Sequence, residues 1–358
     1  MCGPCCLIAP PDVLVRIAEE GAPEERDSAL RTLATSVALR AQRATVGDAM
    51  RSLGVEVADV AFLAPSREAF VTVYDVRHGG DFDLPGDRIR GEGDSPAEDP
   101  EVNEAYEGAE KTYEFYRDVF SRDSIDGQGL EIVSSVHYGT RYDNAAWTGA
   151  QMIYGDGGGG MFVPGAMTKA LDVIAHELTH GITDFTANLQ YRKQSGALNE
   201  SFSDVFGSLV KQRALGQAAT DADWLIGEGI LAPALEGVAL RSLREPGTAH
   251  RFDSQPGSME NFVDLPDDDD PRNDHGGVHI NSGIPNRAFQ LAASAIGGNA
   301  WEKPGQIWYV TLTERLGPTS TFLEAAEATV QVAGELFGED GDEQSAVRDA
   351  WETVGVLE

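Results

Sequence analysis

Cysteine is scarce in this chain: Cys2, Cys5 and Cys6 are the three in 358 residues. All lie at the extreme N-terminus, so no disulfide framework supports the body of the protein. A CxxC motif without a second pair is a weak zinc-finger signal. No apolar run approaches eighteen residues, which argues against a membrane-spanning helix. Basic residues are few, with 27 Lys and Arg against 59 Asp and Glu, a formal charge of −32. Without a basic face there is nothing to meet nucleic-acid phosphates. The charge favours solubility and self-repulsion, fits a salt-rich setting, and says nothing about fold. The opening "MCGPCCLIAPPDVL" lacks the basic stretch and long apolar run of a secretory signal. Cytoplasmic residence is therefore the default expectation, with export by a leaderless route as the alternative. Internal repeats are lacking too, and nothing encodes an oligomer, so a monomer is expected.

The length suits two domains and a short extra segment. Residues 13–20 predict a short helix with Leu14, Ile17 and Ala18 on one face, ended by Gly21 and Pro23. A second helix is expected over about 27–43 with Asp27 as cap, and residues 44–68 show no sustained period. Strands are predicted near 69–78, 130–139 and 150–157, with a Gly/Asp/Glu/Pro-rich loop before residue 100. Between the loop and the second strand, Val102, Tyr106, Ala109, Tyr113, Tyr116 and Phe120 recur at helical steps. From about residue 196 the pattern is mostly helical, and "PDDDDP" (266–271) is most simply a solvated loop, with calcium binding there as the sharper alternative. The expected organisation is a helical N-terminal segment (1–50), a linker (51–68), a strand-rich part (69–190) and a helical part (191–358).

In the middle stands "AHELTH" (175–180). On a helix, positions four apart lie about 40° from each other, so His176 and His180 can bind one ion. Glu177 projects from an adjacent direction, suited to a water on that ion. Two solvent-facing histidines are the bland alternative. A catalytic zinc needs a third protein ligand and an open position. "GALNESFSDVFGSLV" carries an apolar stripe of Leu198, Phe202, Val205, Phe206 and Leu209, with Glu200 and Asp204 on the other side. Glu200 suits the third ligand, Asp204 can hold a histidine's other ring nitrogen, and Asn199, next to Glu200, is a further supporting candidate. A solvated acidic face remains open for this pair.

The stretch "HELTHGITDFTANLQYRKQSGALNESFSDVFG" resembles the signature of the thermolysin-type metalloendopeptidases. The similarity extends to "YDNAAWTGAQMIYGDG", "LRSL", "NDHGGVHINSGIPNRAF" and "LGPTSTF…AWETVGV", over roughly residues 69–358. It implies an α+β fold with a strand-rich N-terminal lobe and a helical C-terminal lobe joined by the motif helix. It implies one zinc on His176, His180 and Glu200, and peptide hydrolysis by Glu177-assisted attack of a zinc-bound water. Tyr191 and His279 would stabilise the oxyanion, with Asp274 orienting His279. Asn144 and Ala145 would bind substrate backbone, and Arg241 a substrate carbonyl. Val173, Ile226, Ile230 and Leu240 would line an apolar pocket, giving cleavage before large apolar residues. Silent relatives that only bind usually lose a ligand or the base; here all are present.

The family often carries a pair of calcium ions beside the site. Asp172, Asp223 and Glu228 match members of that cluster, but Lys211 and Leu225 replace two carboxylates. An ammonium among calcium ligands reverses the charge logic, so an empty or reduced site is expected. The N-terminus, with "IAPPDVL", resembles the short precursor region of the protealysin-like subgroup. It implies a removable pro-segment acting as an intramolecular inhibitor. A thiolate is a strong zinc ligand, which makes Cys6, Cys5 or Cys2 a candidate cap for the open zinc position, Cys6 first.

Overall fold

The computed structural model describes residues 6–52 and 70–358. The chain forms two compact units, Met1–Phe185 with Ile230–Leu235, and Thr186–Gly229 with Glu236–Glu358.

The first unit begins with a two-residue strand, β1 (Cys6–Leu7), and two helices, α1 (Pro11–Glu20) and α2 (Pro23–Ser52). Proline at the first helical position starts α1 without losing a needed donor. Val13, Leu14 and Ile17 bury its apolar face, and the Gly21 amide closes it on the Ile17 carbonyl at 2.8 Å. Helix α2 is longer at both ends than its periodicity predicts. It starts at Pro23 with Glu24 and Glu25 in the first turn, a favourable match to the helix dipole. Asp27 is thus no cap; it pairs one turn on with Arg31 at 2.8 Å.

Strands β2 (Val71–Asp75), β3 (Asp87–Gly91), β4 (Ile132–Val136), β5 (Ala145–Trp147) and β6 (Met152–Tyr154) join β1 in a mixed sheet of order β1-β5-β6-β4-β2-β3. Parallel pairs β2/β4 and β4/β6 form its centre, and antiparallel pairs its flanks. Strand β1 covers the edge of β5, with Cys6 opposite Trp147 and Leu7 opposite Ala146. Leu7 and Leu39 pack with Tyr138, Tyr142, Ala146 and Ile153 in one buried cluster, so the N-terminal segment shares a core with the sheet. Helix α3 (Pro100–Phe120) is capped by Asp99, whose side chain accepts from the Glu101 amide, and it buries the predicted stripe. Helix α4 (Leu171–Asp184) carries the histidine motif and packs on α3 and β5. Three short strands of this unit, β1, β3 and β5, lie where no strand was predicted. The outer edge strand β3 exposes three of its five residues, so it lacks a readable apolar face.

The second unit is built on α5 (Lys193–Leu215), β7 (Leu225–Ile226), β8 (Arg241–Ser242), α6 (Asp274–Asn281), α7 (Gly283–Ile296), α8 (Lys303–Glu314), α9 (Phe322–Phe337) and α10 (Asp342–Thr353). Helix α5 is buried almost all round from Ser195 to Val210, the mark of a central helix. Trp224, Phe289, Trp308 and Trp351 form an aromatic core beside it, the last two stacked at 6.4 Å. "PDDDDP" is a loop whose Asp267 and Asp270 pair with Arg192 and Arg272. The described residues thus give a strand-rich N-terminal region and a helical C-terminal domain, the thermolysin-like arrangement expected from the motifs.

Candidate active site

Helix α4 is apolar enough to be buried along its length, and its polar residues are buried with it. His176 and His180 are both fully buried, which removes the solvent-facing alternative. Their Nε2 atoms lie 3.0 Å apart and their rings stand nearly perpendicular. One turn of helix has brought two imidazole nitrogens to a common point. Glu177 is buried as well, and its Oε2 accepts the Trp147 amide at 2.8 Å. Strand β5 therefore aims the carboxylate. The close fit of α4 on that strand depends on Gly181, where a Cβ would meet the Trp147 ring at 3.0 Å and Ile125 at 2.7 Å.

Ala145 opens the same strand and Asn144 immediately precedes it. Asn144 Oδ1 accepts from the Ala9 amide at 3.0 Å, and the Ala145 carbonyl accepts from Ile8 at 3.3 Å. Asn144 Nδ2 is buried with no partner among the described residues. Asp143 just before it is a buried carboxylate. Desolvation pushes its pKa up, against the pull of amides from the glycine-rich turn. Gly160 and Met161 donate to it at 3.0 and 2.7 Å, which holds the β5 approach in place.

In the second unit Glu200 and Asp204 are 0% exposed, so the solvated acidic face is excluded. The Tyr191 hydroxyl donates to Glu200 Oε1 and lies 3.0 Å from His279 Nε2. His279 Nε2 is itself 3.6 Å from Glu200. Asp274 Oδ1 holds His279 Nδ1 at 2.6 Å while its other oxygen takes the His279 amide at 2.7 Å. This grip needs a left-handed path through Asp274, His275, Gly276 and Gly277, the last two supplying the freedom that glycine has at positive φ. Burial alone would push the His279 imidazolium down, but the Glu200 and Asp274 carboxylates outweigh it and raise the pKa to about 9. Asp204 accepts from Nε and Nη2 of Arg241 at 2.8 Å each and from Asn286 at 2.8 Å. Asn199 donates to the Leu189 carbonyl at 3.2 Å, anchoring the segment that leads to Tyr191.

The buried groups that could hold a metal ion are His176 and His180 of the first unit and Glu200 of the second. Two imidazoles and a carboxylate are the donor set of a catalytic zinc, which leaves a position open. Ile226 and Leu240 are bridged by a backbone bond of 2.9 Å, and Val173 and Ile230 are buried in the first unit. Lys211 donates to Asp223 at 3.0 Å and to the Leu225 carbonyl at 2.6 Å. Cys2 and Cys5 lie outside the described residues, and of Cys6 only the backbone is described. The sequence reading missed Asp143 and the Trp147 amide. The amide belongs to a backbone atom and has no signal in a motif.

Residues 44–184 match the family model "Thermolysin metallopeptidase, catalytic domain", and residues 187–356 match "Thermolysin metallopeptidase, alpha-helical domain". An extracellular metalloprotease of Pectobacterium carotovorum subsp. carotovorum is 44% identical over 99% of this chain and 97% of its own. Protease PrtS of Photorhabdus sp. (strain Az29) is 42% identical over 98% of this chain and 91% of its own. Among solved structures, the precursor of protealysin, a metalloproteinase from Serratia proteamaculans, superposes with a TM-score of 0.83 at 43% identity, over 98% of this chain and all of that one.

Proposed function

The chain belongs to the thermolysin-type (M4) metallopeptidases, and we propose that it is a zymogen whose own N-terminal segment occupies the substrate's place on β5. It is a metalloendopeptidase, and His176, His180 and Glu200 would hold its zinc. A zinc ion there supplies an acidified water and polarises the peptide carbonyl.

The chain's residues provide the rest. Glu177, fixed by the Trp147 amide at 2.8 Å, accepts the proton of the attacking water and delivers it to the leaving amine. Tyr191 and His279 donate to the oxyanion, and Asp274 keeps His279 charged and aimed. Asn144 and Ala145 pair with extended substrate backbone, Arg241 meets a substrate carbonyl, and Asp204 holds that arginine. Val173, Ile226, Ile230 and Leu240 favour cleavage before Leu, Ile, Val or Phe; an apolar pocket separates such side chains only weakly.

The observation that carries the precursor reading is the hydrogen bonding of Ile8 and Ala9 to Ala145 and Asn144. A peptide added to a sheet edge binds through main-chain bonds of this kind. Pro10 and Pro11 follow and end the pairing, since neither has an amide to give. Strand β1 also places the Cys6 backbone opposite Trp147, whose amide holds Glu177, which supports Cys6 as the zinc cap. The ammonium of Lys211 stands in for calcium at the double site. No described helix is long and apolar enough to cross a membrane. The name of the Pectobacterium relative fits a cytoplasmic default poorly and supports action outside the cell.

The test is hydrolysis of fluorogenic peptides with an apolar residue after the scissile bond, before and after loss of the N-terminal segment. Activity should appear with the loss, and Cys6→Ser should shorten the lag. A full-length chain as active as the shortened one refutes the precursor reading.

A further inference from the structure

Two of the three histidines outside the zinc and "NDHGGVHINSG" motifs, His78 and His137, converge with carboxylates at one end of the sheet. We propose that His78, His137, Glu101 and Asp156 form a second metal site, structural in role, for a divalent transition ion of the zinc type.

Four segments far apart in sequence bring these groups together: the turn after β2, the first turn of α3, the end of β4 and the loop after β6. His137 Nδ1 lies 2.7 Å from Asp156 Oδ1 and 3.9 Å from Glu101 Oε2. His78 Nδ1 approaches the other Asp156 oxygen at 3.2 Å. The ligand atoms of Glu101, His137 and Asp156 all fall within 4.8 Å of one another. Bonds of 2.0–2.1 Å at tetrahedral angles put ligand atoms roughly 3.3 Å apart, inside the spread of Glu101, His137 and Asp156, which His78 joins through Asp156. Two imidazoles and two carboxylates suit zinc, cobalt or nickel, whereas calcium or magnesium would select oxygen alone.

The second ring nitrogen of His137 points the same way. Nε2 lies 2.8 Å from Asp99 Oδ2. Without an ion, both ring nitrogens bond carboxylates and the ring is a charged imidazolium, its pKa raised to about 10 by Asp156 first, against burial. An ion that displaces the Nδ1 proton would sit between Asp156 and Glu101 while Nε2 still donates to Asp99. A carboxylate behind a histidine is the usual support of a metal ligand. With His78 turned from Asp156 onto the ion as the fourth ligand, the coordination would close and leave no position for a reacting water, hence a structural role. The ion would tie the start of α3 to the ends of three sheet segments.

The test is zinc stoichiometry of the full-length chain carrying Glu177→Ala to prevent self-cleavage, by elemental analysis and titration with zinc alone. Two tight equivalents are expected, falling to one in E177A/H137A and to one in E177A/H176A. Should H137A fail to fold, His78→Ala and Asp99→Asn replace it. H78A removes a ligand, and D99N should weaken the second equivalent by roughly 10–100-fold. The expected spectroscopic counterpart is a cobalt absorption band that survives H176A and is lost with H137A. A single equivalent that is lost with H176A and unaffected by H137A overturns the proposal. So does a second equivalent that survives both H137A and Asp156→Asn, since it is then bound elsewhere.

Discussion

At the scale of single residues, the chemistry rests on how burial and neighbours set each side chain's charge. His279 is the clearest case: desolvation opposes its protonation, yet Glu200 and Asp274 lift its pKa to about 9. Its donating, charged form is present below that pKa and is lost as pH rises through it. kcat/KM should therefore fall on the alkaline side. Zinc would draw on the Glu200 charge, so the fall belongs somewhat below 9. Asp274→Asn should move this limb down by about one pH unit, the equivalent of about 1.4 kcal/mol of lost support. A pH–rate profile checks this, and an unmoved limb contradicts the role given to Asp274. Tyr191→Phe should lower kcat by roughly 10²–10³-fold with little change in KM, as expected for an oxyanion donor. The histidine spacing was legible because a helix makes it so. Glu200 and Asp204 were only half legible: the sequence shows two acids on one side of α5, but not that this side is buried.

At the scale of elements, β5 ties the molecule together. Three residues long, it holds Glu177 through Trp147, and its Ala145, with Asn144 just before it, takes the backbone of Ile8 and Ala9. No alternation marks "AAW", because all three residues are buried and the period of two disappears. The α1 and α3 stripes were readable for the opposite reason, each having one dry and one wet face. In α2 the loss of period past residue 43 hid a helix that runs to Ser52. The metal cluster at His78 and His137 was invisible for a third reason: four segments supply it, and no local spacing records their meeting. The contact of β1 with β5 yields a direct prediction. Ala9→Pro deletes the amide that bonds Asn144 and leaves that oxygen less satisfied, at a cost of about 1–3 kcal/mol. Activation should quicken by roughly 5–100-fold in a time course of peptide hydrolysis, whereas Ala9→Ser should change little. Equal lags in the two variants contradict the edge-pairing account.

At the scale of the whole molecule, the charge of −32 works against compactness. Salt shortens the range of that repulsion to about 10 Å at 0.1 M, so the midpoint of thermal unfolding should rise with sodium chloride. Calcium should add nothing beyond its ionic strength, since Lys211 already holds Asp223 and the Leu225 carbonyl. Lys211→Glu should restore a calcium-dependent rise in the midpoint. A wild type that gains several degrees from calcium alone at matched ionic strength would show the double site to be intact.

The proposed zymogen is a zinc peptidase restrained by its own N-terminus and released by its own chemistry. The most direct measurement is the intact mass of the purified chain over time, wild type beside Glu177→Ala, each with and without a zinc chelator. Only the zinc-loaded wild type should lose an N-terminal fragment, cut within residues 44–70. Loss of the same fragment at the same rate from Glu177→Ala would contradict the account.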